Sequence, residues 1–167
     1  GTAQSVCGAT ATLAGNDPAP QTGLWTVNTA ASITSPTAFN SGVTGLVAGA
    51  NVFTWTITNG ACTSANTVTI TRNTPPAITS GTLADASTTT GTATSFAVTA
   101  TNAASYEWYV DTGSGFTGPI ANGLSGGITY GGALTNTLSV NPSTVGANGY
   151  KYKVTVNGNS PCGSVDS

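Results

Sequence analysis

Acidic side chains are the first candidates for chemistry in this chain, which has five aspartate and glutamate residues and no histidine. The lack of histidine removes Ser-His-Asp and Cys-His nucleophile systems and most zinc sites. The acids are scattered along the sequence, at Asp17, Asp85, Glu107, Asp111 and Asp166. No spacing among them resembles the carboxylate pair of a glycosidase. We therefore expect solvated acids and no enzymatic activity.

One acid lies in a motif that is familiar from catalysis. Asp111-Thr112-Gly113 matches the Asp-Thr-Gly signature of aspartic proteases, in which two carboxylates share one proton. A single copy would need a symmetric dimer to supply the second carboxylate. The motif follows the predicted strand around Trp108 and runs into further glycines, so a hairpin turn is the simpler interpretation.

Metal binding has little support in the sequence, and we predict neither a metal nor another cofactor. Asn16-Asp17-Pro18 forms a predicted turn with oxygen ligands, and Asp85 lies beyond a proline-containing linker. Nothing matches a twelve-residue calcium loop. Calcium at Asp17 and Asp85 is kept as an alternative to be tested.

The amino-acid composition excludes some classes of partner and indicates a cellular compartment. Charged residues make up 5% of the chain, and three lysines and arginines are too few to follow a phosphate backbone, so we expect no nucleic-acid partner. No apolar run is long enough for membrane insertion. Three cysteines in a threonine-rich, charge-poor chain favour an oxidising, extracellular location. The chain also lacks methionine, which suggests an excised part of a longer protein.

Aromatic residues in the second half provide a candidate ligand platform. Tyr109 is expected to point outward from its strand, with Phe116 and Tyr130 nearby in sequence. Exposed aromatic rings of this kind stack against sugar rings. Ordinary sheet surface covered by turns is the interpretation we favour over a platform.

A repeated pattern shows how the chain is organised. In the segment Asn51–Asn73, residues Phe53, Trp55 and Ile57 alternate with threonines, which predicts a β-hairpin with one buried face. The stretch Gly49–Ile57 is then echoed at Gly146–Val154 with aromatic residues in the same phase. A pattern repeated at domain spacing predicts two modules of one type.

We place the first module at residues 1–73 and the second at 74–167. About seven short alternating strands in the second module make a β-sandwich the expected fold. Pro75 and Pro76 stiffen the junction, so we expect an end-to-end arrangement. Little chain follows Cys162, so the last strand of module two is expected to be incomplete, either cut within a repeat or completed by strand addition. The inward signature residues are Trp25, Phe53, Trp55, Trp108 and Tyr152.

The three cysteines allow one pairing within a module. Cys7 and Cys62 bracket the first module, and nothing else in it can partner either one. We therefore predict a Cys7–Cys62 disulfide that closes a long loop. Cys162 is left unpaired in the second module.

Two stretches resemble a known fold family. Tyr106-Glu107-Trp108 and the later Asn148–Val154 resemble the strand-C tryptophan and the strand-F tyrosine corner of an immunoglobulin-like sandwich. In this resemblance Tyr152 occupies the corner position, and Val154 stands where the second cysteine of many such domains lies. The implied fold is all-β, with two tandem immunoglobulin-like β-sandwich domains.

The amino-acid sequence of each module is similar to the immunoglobulin-like repeats of very large secreted surface adhesins of Bacteroidetes-type bacteria, including those used in gliding motility. The similar stretches are Cys7–Gly15, Gly23–Val27, Gly45–Cys62, Tyr106–Val110 and Cys162–Val165. The resemblance implies a secreted or cell-surface location and a role as spacer or adhesive surface. The implied partners are neighbouring repeats and surface glycans. A glycan-binding accessory module of a secreted multidomain enzyme is the alternative function.

Overall fold

The protein is described by a computed structural model covering residues 1–80, 83–142 and 147–167. The described residues contain β-strands and no α-helix. They divide into two compact units, Gly1–Thr74 with Ser160–Cys162, and Pro75–Asn159 with Gly163–Ser167. Part of the Gly146–Val154 echo, namely residue 146, lies outside the described residues.

The first unit contains seven strands in two sheets. They are β1 Gln4–Val6, β2 Ala11–Thr12, β3 Thr22–Val27, β4 Ser32–Ile33, β5 Gly42–Thr44, β6 Gly49–Asn59 and β7 Cys62–Arg72. One sheet has the order β1-β7-β6-β3 and the other β2-β5-β4. Strand β1 runs parallel to β7, whereas the other pairs are antiparallel.

Strand alternation forms the core of this unit. Trp25, Phe53 and Trp55 are buried, whereas the residues next to them in their strands are exposed, as Leu24 is, or half-buried, as Thr54 is. The rings of Trp25 and Trp55 lie 5.0 Å apart between centroids. Each indole N–H donates to a backbone carbonyl at 3.2 Å, Trp25 to Phe39 and Trp55 to Asn16, so the polar atom of each buried ring is satisfied.

A buried amide supports the start of β6. Asn51 is fully buried, and its side-chain oxygen accepts from the Thr29 hydroxyl at 2.9 Å and the Val47 N–H at 3.1 Å. Its amide nitrogen donates to the carbonyls of Val47, Gly49 and Ile70. One side chain therefore fixes the loop before β6 to the neighbouring strand.

The described part of the second unit contains ten strands. They are β8 Ala77–Ile78, β9 Thr94–Ala97, β10 Ala100–Thr101, β11 Ala103–Asp111, β12 Phe116–Thr117, β13 Gly123–Ser125, β14 Ile128–Gly131, β15 Thr137–Pro142, β16 Lys151–Gly158 and β17 Ser164–Asp166. Its two main sheets have the orders β12-β11-β16-β17 and β13-β14-β15-β9, with a small β10-β8 pair. The final strand β17 has three residues, against eleven in β7.

Trp108 lies at the centre of the second core. It is fully buried, pairs across the sheet with Val154, and donates its indole N–H to the Thr135 carbonyl at 2.9 Å. Val154 is also fully buried. An aliphatic side chain thus fills the position that the resemblance associates with a cysteine.

The predicted disulfide is wrong in its partner. Cys7 is bonded to Cys162, with a Cα–Cα distance of 5.1 Å, and Cys62 is an exposed free cysteine. The reason is the parallel pairing of β1 with β7, which sets Val6 opposite Arg72. Cys62 begins β7 at the hairpin end, about 33 Å along the strand from Arg72. That distance is far beyond the reach of a disulfide.

The segment carrying Cys162 belongs to the first unit, although we had placed it in the second module. The side-chain amide of Asn73 donates to the Ser160 carbonyl at 2.7 Å, and the Asn73 N–H donates to the Val6 carbonyl at 2.8 Å. Asn73 therefore holds both cysteine-bearing segments. Cys162, predicted to be unpaired, is bonded and buried.

Gly23→Ala is expected to destabilise the first unit by about 1–3 kcal/mol. Gly23 lies on β3 opposite Ile57, and an added Cβ would overlap Cζ2 and Cη2 of the Trp55 ring. The buried ring would have to move. Thermal unfolding measures the effect, with Gly8→Ala as the control, because the nearest atom to its added Cβ is 4.0 Å away. Equal melting temperatures for the two variants would contradict the prediction.

Candidate functional site

The outer face of the β12-β11-β16-β17 sheet carries the candidate ligand surface. Tyr109 on β11 lies opposite Lys153 on β16, and Phe116 on β12 lies opposite Asp111 at the end of β11. The Lys153 ammonium is 5.1 Å from the Tyr109 ring centroid and 5.5 Å from that of Phe116. These distances are in the range of cation–π contacts. We call Tyr109, Phe116 and Lys153 the aromatic patch.

Hydrogen bonds fix the cation of this patch. The Lys153 ammonium donates to Asp166 on β17 at 2.9 Å, and the same carboxylate accepts from the Thr155 hydroxyl at 2.6 Å. These two hydrogen bonds, that from Thr155 above all, hold the pKa of Asp166 below its usual range. The hydroxyl of Tyr109 lies 3.4 Å from a Glu107 carboxylate oxygen. A cation therefore lies over both rings, and an acid lies beside the Tyr109 hydroxyl.

Tyr130 does not belong to the platform in which we had placed it. It lies on β14 in the other sheet, opposite Val140, and is 6% exposed. Ile128 and Tyr130 are both buried, whereas Thr129 between them is exposed. The inward phase of β14 therefore places the Tyr130 ring in the core, where a ligand on the other sheet cannot reach it.

The aromatic patch is partly covered by the protein itself. Lys153 lies over both rings, and a Cβ added at Gly118 would be 3.0 Å from Cδ1 of Tyr109, which shows how closely the backbone approaches that ring. Phe116 remains 45% exposed. The patch therefore offers one accessible aromatic edge beside a cation and an acid, and not an open stacking platform.

Asp166→Asn is expected to lower stability at neutral pH by less than about 1 kcal/mol, because the carboxylate is half exposed and screened by water. The folded-state pKa of Asp166 is depressed, so its contribution is present above the unfolded pKa of about 3.8. It is lost as the pH falls through the folded value.

Denaturant titrations at pH 7 and at pH 2 measure this difference. Asp85→Asn is the matched control, since Asp85 is exposed. The prediction fails if the stability difference between Asp166→Asn and the native chain is as large at pH 2 as at pH 7.

Within residues 1–80, 83–142 and 147–167, Tyr152 has no hydrogen bond of the kind that a tyrosine corner implies. Its ring packs 5.0 Å from Phe96 and 6.3 Å from Tyr130, and its buried hydroxyl has no hydrogen-bond partner among the described residues. Burial raises the pKa of Tyr152 well above its ordinary value, and the nearby Tyr130 hydroxyl adds to the effect without reaching hydrogen-bonding geometry. Among the described residues, Tyr152 therefore acts through the packing of its ring.

Tyr152→Phe is expected to leave stability unchanged or to raise it by up to about 1 kcal/mol, because it removes a buried oxygen that bonds to none of the described residues. If Tyr152 formed a tyrosine corner, the substitution would instead remove a hydrogen bond and lower the free energy of unfolding by about 1 kcal/mol. Urea unfolding distinguishes the two signs. A loss of 1 kcal/mol or more would show that the hydroxyl bonds to the backbone in solution.

Two other candidate acids accept backbone N–H groups from the residues that follow them. The Asp111 carboxylate accepts the backbone N–H groups of Gly113 at 2.7 Å and Gly115 at 2.8 Å, and these bonds lower its pKa. These hydrogen bonds lie in the turn between β11 and β12, so the Asp-Thr-Gly motif forms a hairpin turn. Asp17 accepts the N–H of Ala19 at 3.0 Å.

Asp17 and Asp85, the candidate calcium ligands, lie in different units. Residues 1–80, 83–142 and 147–167 contain no group of three or more histidine, cysteine or acidic side chains arranged to hold a metal ion. Within the same ranges no helix is long and apolar enough to span a membrane.

Asn51 is the most highly bonded side chain that sequence reasoning missed. The signal was present, since Gly-Ala-Asn precedes the aromatic strand in both modules. The two copies differ in structure, because Asn51 is buried whereas Asn148 is exposed. The sequence echo therefore reports common strand positions and not a common site.

Comparisons with known proteins identify the fold. Searches against protein-family models and curated proteins found no match. Among solved structures, extracellular domains 3–5 of Drosophila OTK match with a TM-score of 0.63 and 14% identity over 99% of this chain. Titin domains I67–I69, solved as an E-to-A variant, match with a TM-score of 0.59 and 14% identity, also over 99% of the chain.

The chain spans 57% of the OTK structure and 60% of the titin structure. At this level of identity the likeness concerns the fold alone. Together with the two pairs of sheets described above, it confirms the predicted fold class. The chain consists of two tandem immunoglobulin-like β-sandwiches.

Proposed function

We propose that this chain is a structural and adhesive repeat segment of a large bacterial cell-surface adhesin, where it acts as an extracellular spacer. The observation that carries the proposal is the tandem of two immunoglobulin-like sandwiches, each with its own buried core. Modules of this type serve structural and adhesive roles without needing a catalytic site. The gliding-motility context comes from the sequence resemblance.

An extracellular location is supported by the disulfide. Cys7–Cys162 is a stable cross-link only where thiols are not kept reduced, which favours secretion. The scarcity of charge leaves threonine, serine and asparagine to meet water, a surface suited to contacts that depend little on salt. The partners we propose are neighbouring repeats and surface glycans.

A non-catalytic role is supported by the hydrogen bonds of the acidic side chains. The Asp111 carboxylate accepts hydrogen bonds from backbone N–H groups, and the Asp166 carboxylate accepts them from Lys153 and Thr155. Glu107 has the Tyr109 hydroxyl near it. These three carboxylates take part in turns and sheet-surface pairs, and we assign none of them a reacting partner.

Cell labelling tests the location. An antibody raised against this chain is expected to label intact cells that express the parent protein as strongly as permeabilised cells. Brief protease treatment of intact cells should remove the signal, while a cytoplasmic marker protein survives. Labelling that appears only after permeabilisation would overturn the proposal.

A replacement experiment separates the spacer role from the adhesive role. In the parent protein, residues 1–167 are deleted or exchanged for an unrelated immunoglobulin-like tandem of equal length. A spacer role predicts that deletion weakens cell adhesion and that the unrelated tandem restores it. Failure of the tandem to restore adhesion assigns the adhesive contact to this chain's own surface, and unchanged adhesion after deletion contradicts both roles.

The second candidate function is a glycan-binding accessory module, and the exposed edge of Phe116 in the aromatic patch favours it. If sugars stack there, Tyr109→Ala and Phe116→Ala should abolish binding in a polysaccharide pull-down. Lys153→Ala should strengthen binding, because it uncovers both rings. The matched control is Leu134→Ala, an exposed apolar residue between β14 and β15. Binding that survives the Tyr109 and Phe116 substitutions would remove this candidate.

A further inference from the structure

The disulfide joins the two extremities of the chain. Cys7 and Cys162 are separated by 155 positions, so the bridge closes a covalent loop that contains every strand from β2 to β16. Six residues precede Cys7 and five follow Cys162. Of the strands that the structure describes, β1 and β17 alone lie outside the loop. The shortest covalent path between the ends of the chain therefore avoids nearly the whole fold.

We propose that the Cys7–Cys162 bridge is a tension bypass, which carries a pulling force from one end of the chain to the other without extending the backbone between the two cysteines. The inference concerns mechanics and stands whether or not the chain belongs to an adhesin. Force applied at residues 1 and 167 passes through β1, the two sulfur atoms and β17. The backbone between Cys7 and Cys162 runs in parallel with a covalent bond that does not stretch, so it takes up no extension.

The positions of the two cysteines are set by contacts other than the bridge. Strand β1 pairs with the end of β7, and Asn73 bonds to both Val6 and Ser160. The Cα–Cα distance of 5.1 Å lies within the ordinary range for a disulfide. The bridge therefore closes between segments that the fold already holds together.

Three states of the cysteines give three different extensions of the chain, at a reach of about 3.5 Å per residue. With the bridge intact, only the outer residues can extend, by about 40 Å in total. With the bridge reduced, the whole chain can extend to about 580 Å. A Cys7–Cys62 bridge would instead free all residues after Cys62, for a total of about 390 Å.

Reduction of the bridge is an ordinary thiol–disulfide exchange. One thiolate of a small dithiol attacks a bridge sulfur, forms a mixed disulfide with that cysteine and releases the other cysteine. The second thiol of the reagent then attacks the mixed disulfide and releases the first cysteine. The S–S bond breaks, two electrons and two protons pass to Cys7 and Cys162, and the reagent becomes a cyclic disulfide. Cys162 is 4% exposed, so we expect the reaction to be slow in the folded chain.

Single-molecule force spectroscopy tests the inference on the chain as it stands, held by handles at its first and last residues. Without reductant, we expect no gain in contour length beyond about 40 Å up to forces that rupture the handles. After treatment with dithiothreitol, the gain should rise to about 580 Å minus the folded length. Cys162→Ser should give the long extension without reductant, and Cys62→Ser should behave as the native chain does.

Several results would overturn the inference. A long extension of the untreated native chain would show that the ends are not bridged. A gain of about 390 Å minus the folded length would assign the bridge to Cys62. If Cys162→Ser does not fold, dithiothreitol treatment of the native chain after it has folded gives the same comparison, and an unchanged short extension after verified reduction would also contradict the bypass.

Discussion

Trp108→Ala should unfold the second sandwich while the first stays folded. Trp108 is fully buried on β11, and its removal leaves a cavity among Val154, Leu138 and their neighbours. It also leaves the Thr135 carbonyl without the indole N–H that now bonds to it. Substitutions of this size cost about 3–5 kcal/mol, which is a large part of the stability of a small domain.

The distribution of tryptophans provides the measurement. The chain has three, and Trp25 and Trp55 both lie in the first unit. In Trp108→Ala, tryptophan fluorescence therefore reports the first unit alone, whereas far-ultraviolet circular dichroism reports both. We expect the fluorescence transition to keep its midpoint and part of the dichroism transition to move to lower denaturant.

The control is Leu124→Ala, which removes a side chain that is 73% exposed and should change neither signal. Trp108→Phe retains most of the ring volume and should lie between the two. If the dichroism midpoint of Trp108→Ala equals that of the native chain, Trp108 is not the centre of the core described above.

Asn51→Ala is expected to cost the first unit about 3 kcal/mol or more. The substitution removes both acceptor bonds and all three donor bonds of a fully buried amide. The Val47 N–H and several carbonyls lose their partner, and each buried polar group left unsatisfied costs about 1–3 kcal/mol. The loop that enters β6 would lose its attachment to Ile70 on β7.

The sequence echo supplies a matched control. Asn148 stands at the equivalent place in the second module but is exposed, so Asn148→Ala should change stability by less than about 0.5 kcal/mol. Guanidinium unfolding followed by tryptophan fluorescence measures both variants. Similar losses for Asn51→Ala and Asn148→Ala would mean that the buried network does not stabilise the first unit.

Local patterns were sufficient to predict much of this fold. Alternation in Asn51–Asn73 predicted a hairpin, and β6 and β7 form it with Asn59 opposite Cys62 at the tip. The phase of the same alternation placed Phe53 and Trp55 on the face that the structure buries. Such features depend on residues close in sequence, where the strand period of two leaves little freedom.

Features that depend on distant segments were not predictable in the same way. The partner of Cys7 was misassigned because no local pattern reports that β1 runs parallel to β7. Tyr130 was placed on the surface because its glycine-rich surroundings masked the alternation with Ile128. The network of Asn51 depends on Thr29 and Ile70, which become its neighbours only after the sheet has formed.

The spacing of the three cysteines also has a consequence for biosynthesis. Cys7 and Cys62 emerge from the ribosome long before Cys162, so during synthesis and export the wrong partner is the first one available. Docking of β1 on the end of β7 removes that choice, because it holds Cys7 beside Asn73 and leaves Cys62 at the hairpin tip. Domains generally fold from the N-terminus during synthesis. Once folded, the first sandwich therefore keeps Cys7 and Cys62 at opposite ends of β7, so that Cys7 can pair only with the later cysteine.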